Sequence, residues 1–322
     1  MLRRLLLCLL AAALSALGAH AAHAQYPDRF IKLVVPFPAG GPVDVMARLL
    51  AQQLSGALGQ TVIVDNRPGA GGTLGAKFVA AAEPDGYTLL FGTGGSLGIS
   101  PLIYKTAGYD PVKNFAAVAM VSNSPNVLAV TPEVPVHNVA ELVAHAKANP
   151  GKLSYGAVVG TPPHLMTELF KFITGSDIFF VPYKGAAQAL TELLAGQTQV
   201  TLLATVVMLG PVQEGRLRPL AVTSAARLSE FPDVPTMKEN GFADFPPGSW
   251  QAVVAPAGTP GEIVAKLNAA INASLRSPEL TAGFARLRAA ASIGTPQDLS
   301  AQIADEAQKW SAVVKAIGLK AE

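Results

Sequence analysis

Ile31-Lys32-Leu33-Val34-Val35 runs straight into Pro36-Phe37-Pro38-Ala39-Gly40-Gly41-Pro42-Val43-Asp44, and this junction decides the fold. The first five residues are β-rich and stop at a proline. From Val43 onward, Val43, Met46, Ala47, Leu50 and Leu54 form one stripe of an amphipathic helix. A strand, a glycine turn and a helix, in that order, open a βαβ unit. Pro42 falls in the first helical turn, where a missing N–H costs nothing because donors there have no intrahelical partner. The remaining first-turn N–H groups face the carboxyl edge of the sheet, which suits an anion, and glycines let a ligand approach the backbone closely. Glycines that serve turn geometry alone would produce the same local pattern.

The alternation continues downstream. Strand-like runs at 61–64 and 88–91 bracket a glycine-rich turn at 69–72 and a helical segment at 76–82. Apolar, β-like runs at 115–121 and 126–130 are interrupted by Ser122-Asn123-Ser124-Pro125, a candidate crossover into a second lobe. Beyond it, helices at 139–148, 164–173 and 186–195 alternate with strands at 154–156, 179–182, 199–203 and 217–222. A proline-rich stretch at 232–247 precedes a strand at 250–254 that returns to the first lobe. Two long helices, at about 262–275 and 296–317, close the chain. Strands alternating with helices imply a parallel sheet covered on its faces. The pattern predicts an α/β protein of two lobes, each a mostly parallel sheet flanked by helices. Compositional breaks assign residues 25–123 and 249–322 to the first lobe and 124–248 to the second.

The N-terminus reads as an export signal. Met1-Leu2-Arg3-Arg4 is cationic, an apolar run extends to about Leu17, and Ala22-His23-Ala24 is a small-x-small cleavage pattern. That run falls short of the ~20 apolar residues that span a bilayer. Cleavage after Ala24 (residues 1–24 forming the signal peptide) would release the rest into the periplasm. Cys8, the single cysteine, lies inside the signal and follows Leu7, where lipid attachment would require a small residue. The exported part then has no disulfide and no thiolate metal site. Losing Arg3 and Arg4 from the 24 basic residues leaves them equal to the 22 acidic ones. A nucleic-acid binder would show a basic excess or cluster, and none is present.

Three further loops repeat the opening arrangement. Thr93-Gly94-Gly95-Ser96 follows the third strand. Gly160-Thr161-Pro162-Pro163-His164 opens a helix, with Thr161 at the N-cap and Pro162 in the first turn. Tyr183-Lys184-Gly185-Ala186-Ala187 opens another and sets free amides beside a phenol and an ammonium. Ligands of open α/β sheets collect outside the carboxyl ends of the strands. Four such loops, two per lobe, can therefore close on one solute from opposite sides. Micromolar binding needs about −8 kcal/mol. At about 1.5–3 kcal/mol per hydrogen bond to a charged group, roughly four or five backbone donors suffice once apolar burial offsets binding entropy.

Tyr26-Pro27, the 36–44 loop with Ala47-Arg48, and Asp65-Asn66-Arg67-Pro68-Gly69-Ala70-Gly71-Gly72 resemble the start of a Bug-type protein. That family comprises substrate-binding proteins of tripartite tricarboxylate transporters. The likeness continues through Ala82-Glu83-Pro84-Asp85-Gly86-Tyr87-Thr88-Leu89, Tyr183-Lys184-Gly185 and Leu220-Ala221-Val222-Thr223-Ser224. It ends with Pro232-Asp233-Val234-Pro235-Thr236 and Ala255-Pro256-Ala257-Gly258-Thr259-Pro260, so it covers nearly the whole exported chain in order. The resemblance implies a periplasmic-binding-protein fold of the Venus flytrap kind, type II. It also implies a small carboxylate ligand, held by backbone groups and ordered waters between the lobes. The ligand would pass to membrane permease subunits of a tripartite tricarboxylate-type transporter.

Carried over residue by residue, the ligand-binding positions are Phe37, Pro38, Ala39, Gly40 and Asp44 in the first lobe. Those of the second lobe are Thr161, His164, Tyr183, Gly185 and Ala186, while Thr93 and Ser96 join them from the loop pattern. Two departures bear on ligand identity. Ser100 precedes Pro101 where the family commonly has Asn, and the segment around Gln199 lacks a frequent acidic residue. The expectation is a monomeric binding protein, not an enzyme, with no metal or cofactor.

Competing readings exist for several of these residues. Gly94-Gly95-Ser96-Leu97-Gly98 has the nucleophile-elbow spacing of serine hydrolases and follows a strand, with His137, His145 and His164 later in the chain. Three fixed positions arise easily in a glycine-rich sequence, so a ligand loop is the preferred reading. A sensor subunit that presents its closed form to a signalling receptor would use the same lobes. The block 69–75 lacks nucleotide-loop spacing and reads as a turn that brings the next helix close to the sheet. His137 and His145 have no companion ligand set for a metal. His164 either touches the ligand or caps its helix. Asp44 orients its loop, receives a ligand ammonium, or stabilises a helix N-terminus. Trp250, near the return hinge, either lines the cleft or packs, and packing is the preferred reading.

Overall fold

The computed structural model describes residues 26–287, 289–316 and 318, so the expected export signal and Cys8 lie outside the described residues. The opening junction folds as its pattern predicts, with β1 (Ile31–Val35) leading into α1 (Pro42–Leu58). β2 (Val62–Asn66), α2 (Thr73–Ala80) and β3 (Thr88–Thr93) follow. β3 then passes through one π-helical turn (Gly95–Ile99) into the short α3 (Ser100–Ile103). β4 (Phe115–Ser124) and β5 (Asn126–Val130) are separated by Pro125 alone. The interruption expected at 122–124 is therefore strand. Ser122 and Ser124 are buried, and the Ser122 hydroxyl donates to Gln251 Oε1 on a neighbouring strand.

The middle of the chain supplies α4 (Val139–Ala148), β6 (Leu153–Ala157), α5 (Pro162–Thr174), β7 (Ile178–Pro182) and α6 (Ala186–Leu194). It continues with β8 (Val200–Ala204), α7 (Thr205–Gln213) and β9 (Arg218–Val222). β10 (Ser249–Pro256), α8 (Gly261–Leu275), α9 (Pro278–Arg286), β11 (Ala290–Ala291) and α10 (Pro296–Ala316) complete the fold. The sequence pattern gives no sign of α7, which is apolar on nearly all sides and carries Pro211 inside it. It also omits α9, although Ser277-Pro278-Glu279 is a helix-start signal, and the two-residue β11.

The strands form a six-stranded sheet, order β11-β4-β10-β3-β1-β2, and a five-stranded sheet, order β7-β6-β8-β5-β9. β1 pairs parallel with β2 and β3, while β10 runs antiparallel between β3 and β4. β6 pairs parallel with β7 and β8, while β5 is antiparallel to both β8 and β9. The sheets are thus mixed instead of mostly parallel. The physical reason is the double crossing. β5 and β10 each arrive from the other lobe, so each starts at the edge where its parallel neighbours end.

Both faces of each sheet are covered, giving two α/β lobes. In the six-stranded sheet Leu33 and Phe91 pack with Leu50, Ile271 and Phe284 on one face. Val34 and Leu90 turn to the other face, beside Val79, Trp250 and Leu299. Adjacent residues of β1 pointing to opposite apolar layers explain why Leu33, Val34 and Val35 are consecutive apolar residues instead of alternating with polar ones. In the five-stranded sheet, Leu128, Tyr155 and Phe170 share one layer, and Val127, Leu193 and Met208 the other. α10 belongs to both lobes. Leu299 and Ile303 lie in a first-lobe layer, whereas Trp310, Val313 and Val314 join the cluster of Leu128 and Phe170. Among the described residues no helix is long and apolar enough to cross a membrane.

Candidate functional site

The loop between β1 and α1 is held from inside by Asp44, which is 2% exposed. Its Oδ2 accepts the Gly40 N–H at 2.8 Å and Arg48 Nε at 2.9 Å, and its Oδ1 accepts Asn66 Nδ2 at 2.8 Å. Burial pushes this carboxyl up, but the bonds from Arg48, Gly40 and Asn66 outweigh it and hold it below the ordinary value. Of the three sequence readings of Asp44, this geometry is that of a loop-orienting residue. Gly40 has φ +82, a left-handed conformation that favours glycine. Pro38, Ala39 and Gly40 are exposed, and Phe37 is half-buried. Asn66, which the sequence pattern left unassigned, also donates to the Phe37 carbonyl at 3.1 Å.

Thr93 ends β3, and Ser96 lies in the π-turn that follows it. A π-turn is a rare distortion that often marks functional positions. Ser96 is fully buried, and its hydroxyl accepts the Thr93 N–H at 3.0 Å while the Ser96 N–H donates to Thr93 Oγ1 at 3.3 Å. Among the described residues the hydrogen-bond partners of Ser96 include no histidine, so the elbow spacing is not accompanied by a nucleophile–base pair. Phe37 and Ser96 converge on Gly72, where an added Cβ would stand 3.2 Å from Ser96 Cβ and 3.5 Å from Phe37 Cζ. The 69–72 turn therefore forms part of this floor. It also brings α2 close, since a Cβ on Gly75 would lie 2.9 Å from the Arg67 carbonyl.

In the second lobe, His164 is buried and its Nδ1 accepts the Gly160 N–H at 3.2 Å, which fixes the turn ahead of α5. Its ring lies 4.2 Å from that of Phe180. Burial lowers its pKa to about 4, so it is neutral at neutral pH. His164 thus stands behind the loop and shapes it. Thr161 occupies the N-cap position of α5, but its hydroxyl donates to the Val158 carbonyl at 2.7 Å instead of capping the helix. The Tyr183 ring packs on Gly156, where a Cβ would be 2.5 Å away, and the Tyr183 N–H donates to the Ala157 carbonyl. Burial raises the Tyr183 phenol. Gly185 is the N-cap of α6, which starts at Ala186, and has open space around it.

The two edges meet along a seam. A Cβ on Gly95 would lie 3.4 Å from Pro162 Cδ. Tyr104 donates to the Val159 carbonyl at 3.3 Å, and Ser100 reaches the carbonyls of Gly71 at 2.9 Å and Gly160 at 3.5 Å. Ser100 and Tyr104 were not among the predicted site residues. Ser100 had a signal, as the position that departs from the Bug pattern, whereas Tyr104 had none. Among the described residues there is no cluster of three or more side chains able to hold a metal ion.

Among the described residues, the side-chain caps that do form lie away from the facing edges. α1, α2, α5, α6 and α7 begin at the facing edges after Gly41, Gly72, Thr161, Gly185 and Ala204, and none receives a side-chain cap. Away from these edges, Asn138 caps α4 through the Glu141 N–H and Ser277 caps α9 through the Leu280 N–H. Thr295 likewise accepts the Asp298 N–H at the start of α10. α8 starts after Pro260, which has no capping side chain. Uncapped first turns leave N–H donors and positive helix ends on both sides of the cleft.

Comparison with known proteins agrees with this architecture. The family described as the tripartite tricarboxylate transporter family receptor matches residues 46–319. Protein BugT of Bordetella pertussis is 39% identical over 297 residues, covering 92% of this chain and 91% of its own. The structure of Rpa4515 of R. palustris with adipate is similar at a TM-score of 0.80 and 40% identity, over 92% of this chain and 100% of that one. MatC of Rhodopseudomonas palustris with bound malate is similar at a TM-score of 0.77 and 32% identity, over 90% of this chain and 100% of that one.

Proposed function

This chain belongs to the tripartite tricarboxylate transporter family of receptors, and we propose that it captures a small carboxylate between its lobes and delivers it to that transporter's permease subunits. The main support is the set of uncapped helix starts on both facing edges, with α1 in one lobe and α5 and α6 in the other. A carboxylate has about four lone-pair sites, so donors from both lobes can share it. Such a ligand favours the state in which the edges are close, and exclusion of water strengthens each of its bonds. The adipate and malate in the relatives' structures belong to the same chemical class.

Capture of this kind makes and breaks no bond. The ligand shell comprises Phe37, Pro38, Ala39, Gly40, Thr93, Ser96, Thr161, Tyr183, Gly185 and Ala186, with Asp44 and His164 shaping the loops behind them. The lobes comprise residues 25–123 with 249–322, and 124–248. They hinge at the two crossings near Pro125 and Gly248 once the signal is cleaved after Ala24 in the periplasm.

Thermal unfolding of a ligand-stripped preparation tests this. Adipate, malate, aromatic acids and amino acids form the panel, and a bound acid must raise Tm because it stabilises only the native state. A flat response across the panel refutes the carboxylate assignment.

A further inference from the structure

Behind the π-turn, a single carboxylate collects both tryptophans of the chain. Glu306 on α10 accepts Trp250 Nε1 at Oε1 (2.6 Å) and Trp310 Nε1 at Oε2 (3.2 Å). Trp250 is 1% exposed and lies on β10, directly against the turn. A Cβ added to Gly94 would stand 2.8 Å from Trp250 Nε1 and 3.1 Å from Cε2. The far end of the same turn touches the carboxylate itself, since a Cβ on Gly98 would lie 3.5 Å from Glu306 Oε2 and 3.7 Å from Trp310 Cδ1. Between these points Leu97 shares the core layer of Trp250. The turn is therefore braced at both ends by groups that Glu306 holds, and backbone meets indole without an intervening side chain.

We propose that Glu306 is a positioning residue for the ligand loop: through the Trp250 indole it fixes where the Gly94–Ser96 backbone stands in the cleft. This rests on assigning Thr93 and Ser96 to the carboxylate shell, yet the position of the loop is measurable without any ligand. A carboxylate suits the role because it presents an acceptor to each of two donors. Glutamine keeps the size but offers an NH2 group to one indole N–H, so one of the two bonds is replaced by a donor facing a donor.

The test uses nitrogen-15 NMR of the protein, comparing wild type with Glu306→Gln and Trp250→Phe. The phenylalanine variant keeps a ring under Gly94 and leaves Glu306 in place. In Glu306→Gln the Trp250 indole resonance and the amide resonances of Gly94, Gly95 and Ser96 are expected to shift together. In Trp250→Phe the same three amides are expected to shift. Indole shifts with those amides unmoved overturn the proposal, because Glu306 then only anchors α10, and an unmoved Trp250 indole does the same. If Glu306→Gln fails to fold, Glu306→Asp, whose shorter carboxylate cannot keep both indole bonds, replaces it and the same three amides are read. Adipate titration adds a functional arm, with about a tenfold loss of affinity expected in Glu306→Gln, the scale of one hydrogen bond. A wild type that binds none of the acids defeats the carboxylate assignment but leaves the amide comparison decisive for Glu306.

Discussion

Asp44 Oδ2 accepts the N–H of Gly40, four residues before it, so a buried carboxylate holds the first cleft loop closed on itself. Asp44→Ala removes this bond and those from Arg48 and Asn66. A loss of about 1–3 kcal/mol in denaturant unfolding is expected, together with loss of the acid-induced rise in Tm. The sign with pH follows from the depressed carboxyl. Its contribution is present above the unfolded value, near pH 4, and disappears as pH falls through the lower folded value.

His164 gives a second pH signature. Its folded pKa of about 4 lies below the unfolded value, so the unfolded chain takes up the proton first. The stabilisation is complete above about pH 6.5 and is lost as pH falls toward 4, an effect of about 2–3 kcal/mol between pH 7 and pH 4.5. His164→Asn retains an acceptor for the Gly160 N–H and does not titrate. Its stability should fall less steeply than wild type over that interval, and equal slopes would remove His164 as the source.

Gly185 and Gly40 separate ligand effects from folding effects. Gly185 has open space around its Cβ position, so Gly185→Val should leave the unfolding midpoint nearly unchanged while eliminating the adipate or malate response. Gly40→Val also meets no neighbour, but it must adopt φ +82. It is expected to lose about 1–2 kcal/mol by strain in addition to the ligand response. A Gly185→Val protein that binds as wild type would place the ligand elsewhere.

Caps away from the cleft should matter only for stability. Asn138→Ala deletes the bond to the Glu141 N–H and is expected to cost about 1 kcal/mol without altering the ligand response. Thr161→Ala removes a hydroxyl that bonds Val158 instead of the helix, so it should leave the α5 cap energy intact.

How far these features can be read in advance depends on their range. The β1–α1 junction is legible because a strand, glycines and Pro42 encode it locally. The presence of two sheets is legible because strands and helices alternate on either side of the compositional breaks near residues 123 and 248. The strand nature of 122–124 is not, because the Ser122 hydroxyl is satisfied by Gln251, a partner more than a hundred positions away. α7 hides because it has neither a clear apolar face nor a cap, and Pro211 argues against it locally. The loops of the cleft are visible as glycine–proline clusters. The bonds that decide which side chains shape them, from Asp44 to Gly40 and from His164 to Gly160, are contacts of four residues whose direction a pattern cannot supply. The seam residues Ser100 and Tyr104 depend on a lobe that the local sequence does not mention.

β10 occupies the slot between β3 and β4, in the interior of the six-stranded sheet. During synthesis from the N-terminus, the first four strands emerge long before the one that joins them. The five strands of the other sheet lie in one unbroken stretch, β5 to β9, and can pair as soon as they are made. Completion order is therefore inverted relative to chain order. The first lobe remains β2, β1 and β3 on one side and a lone β4 on the other until residue 256 is available, and the last helix then closes a core in both lobes. Long-range pairing of this kind is slow, so the first lobe is the later of the two to be completed.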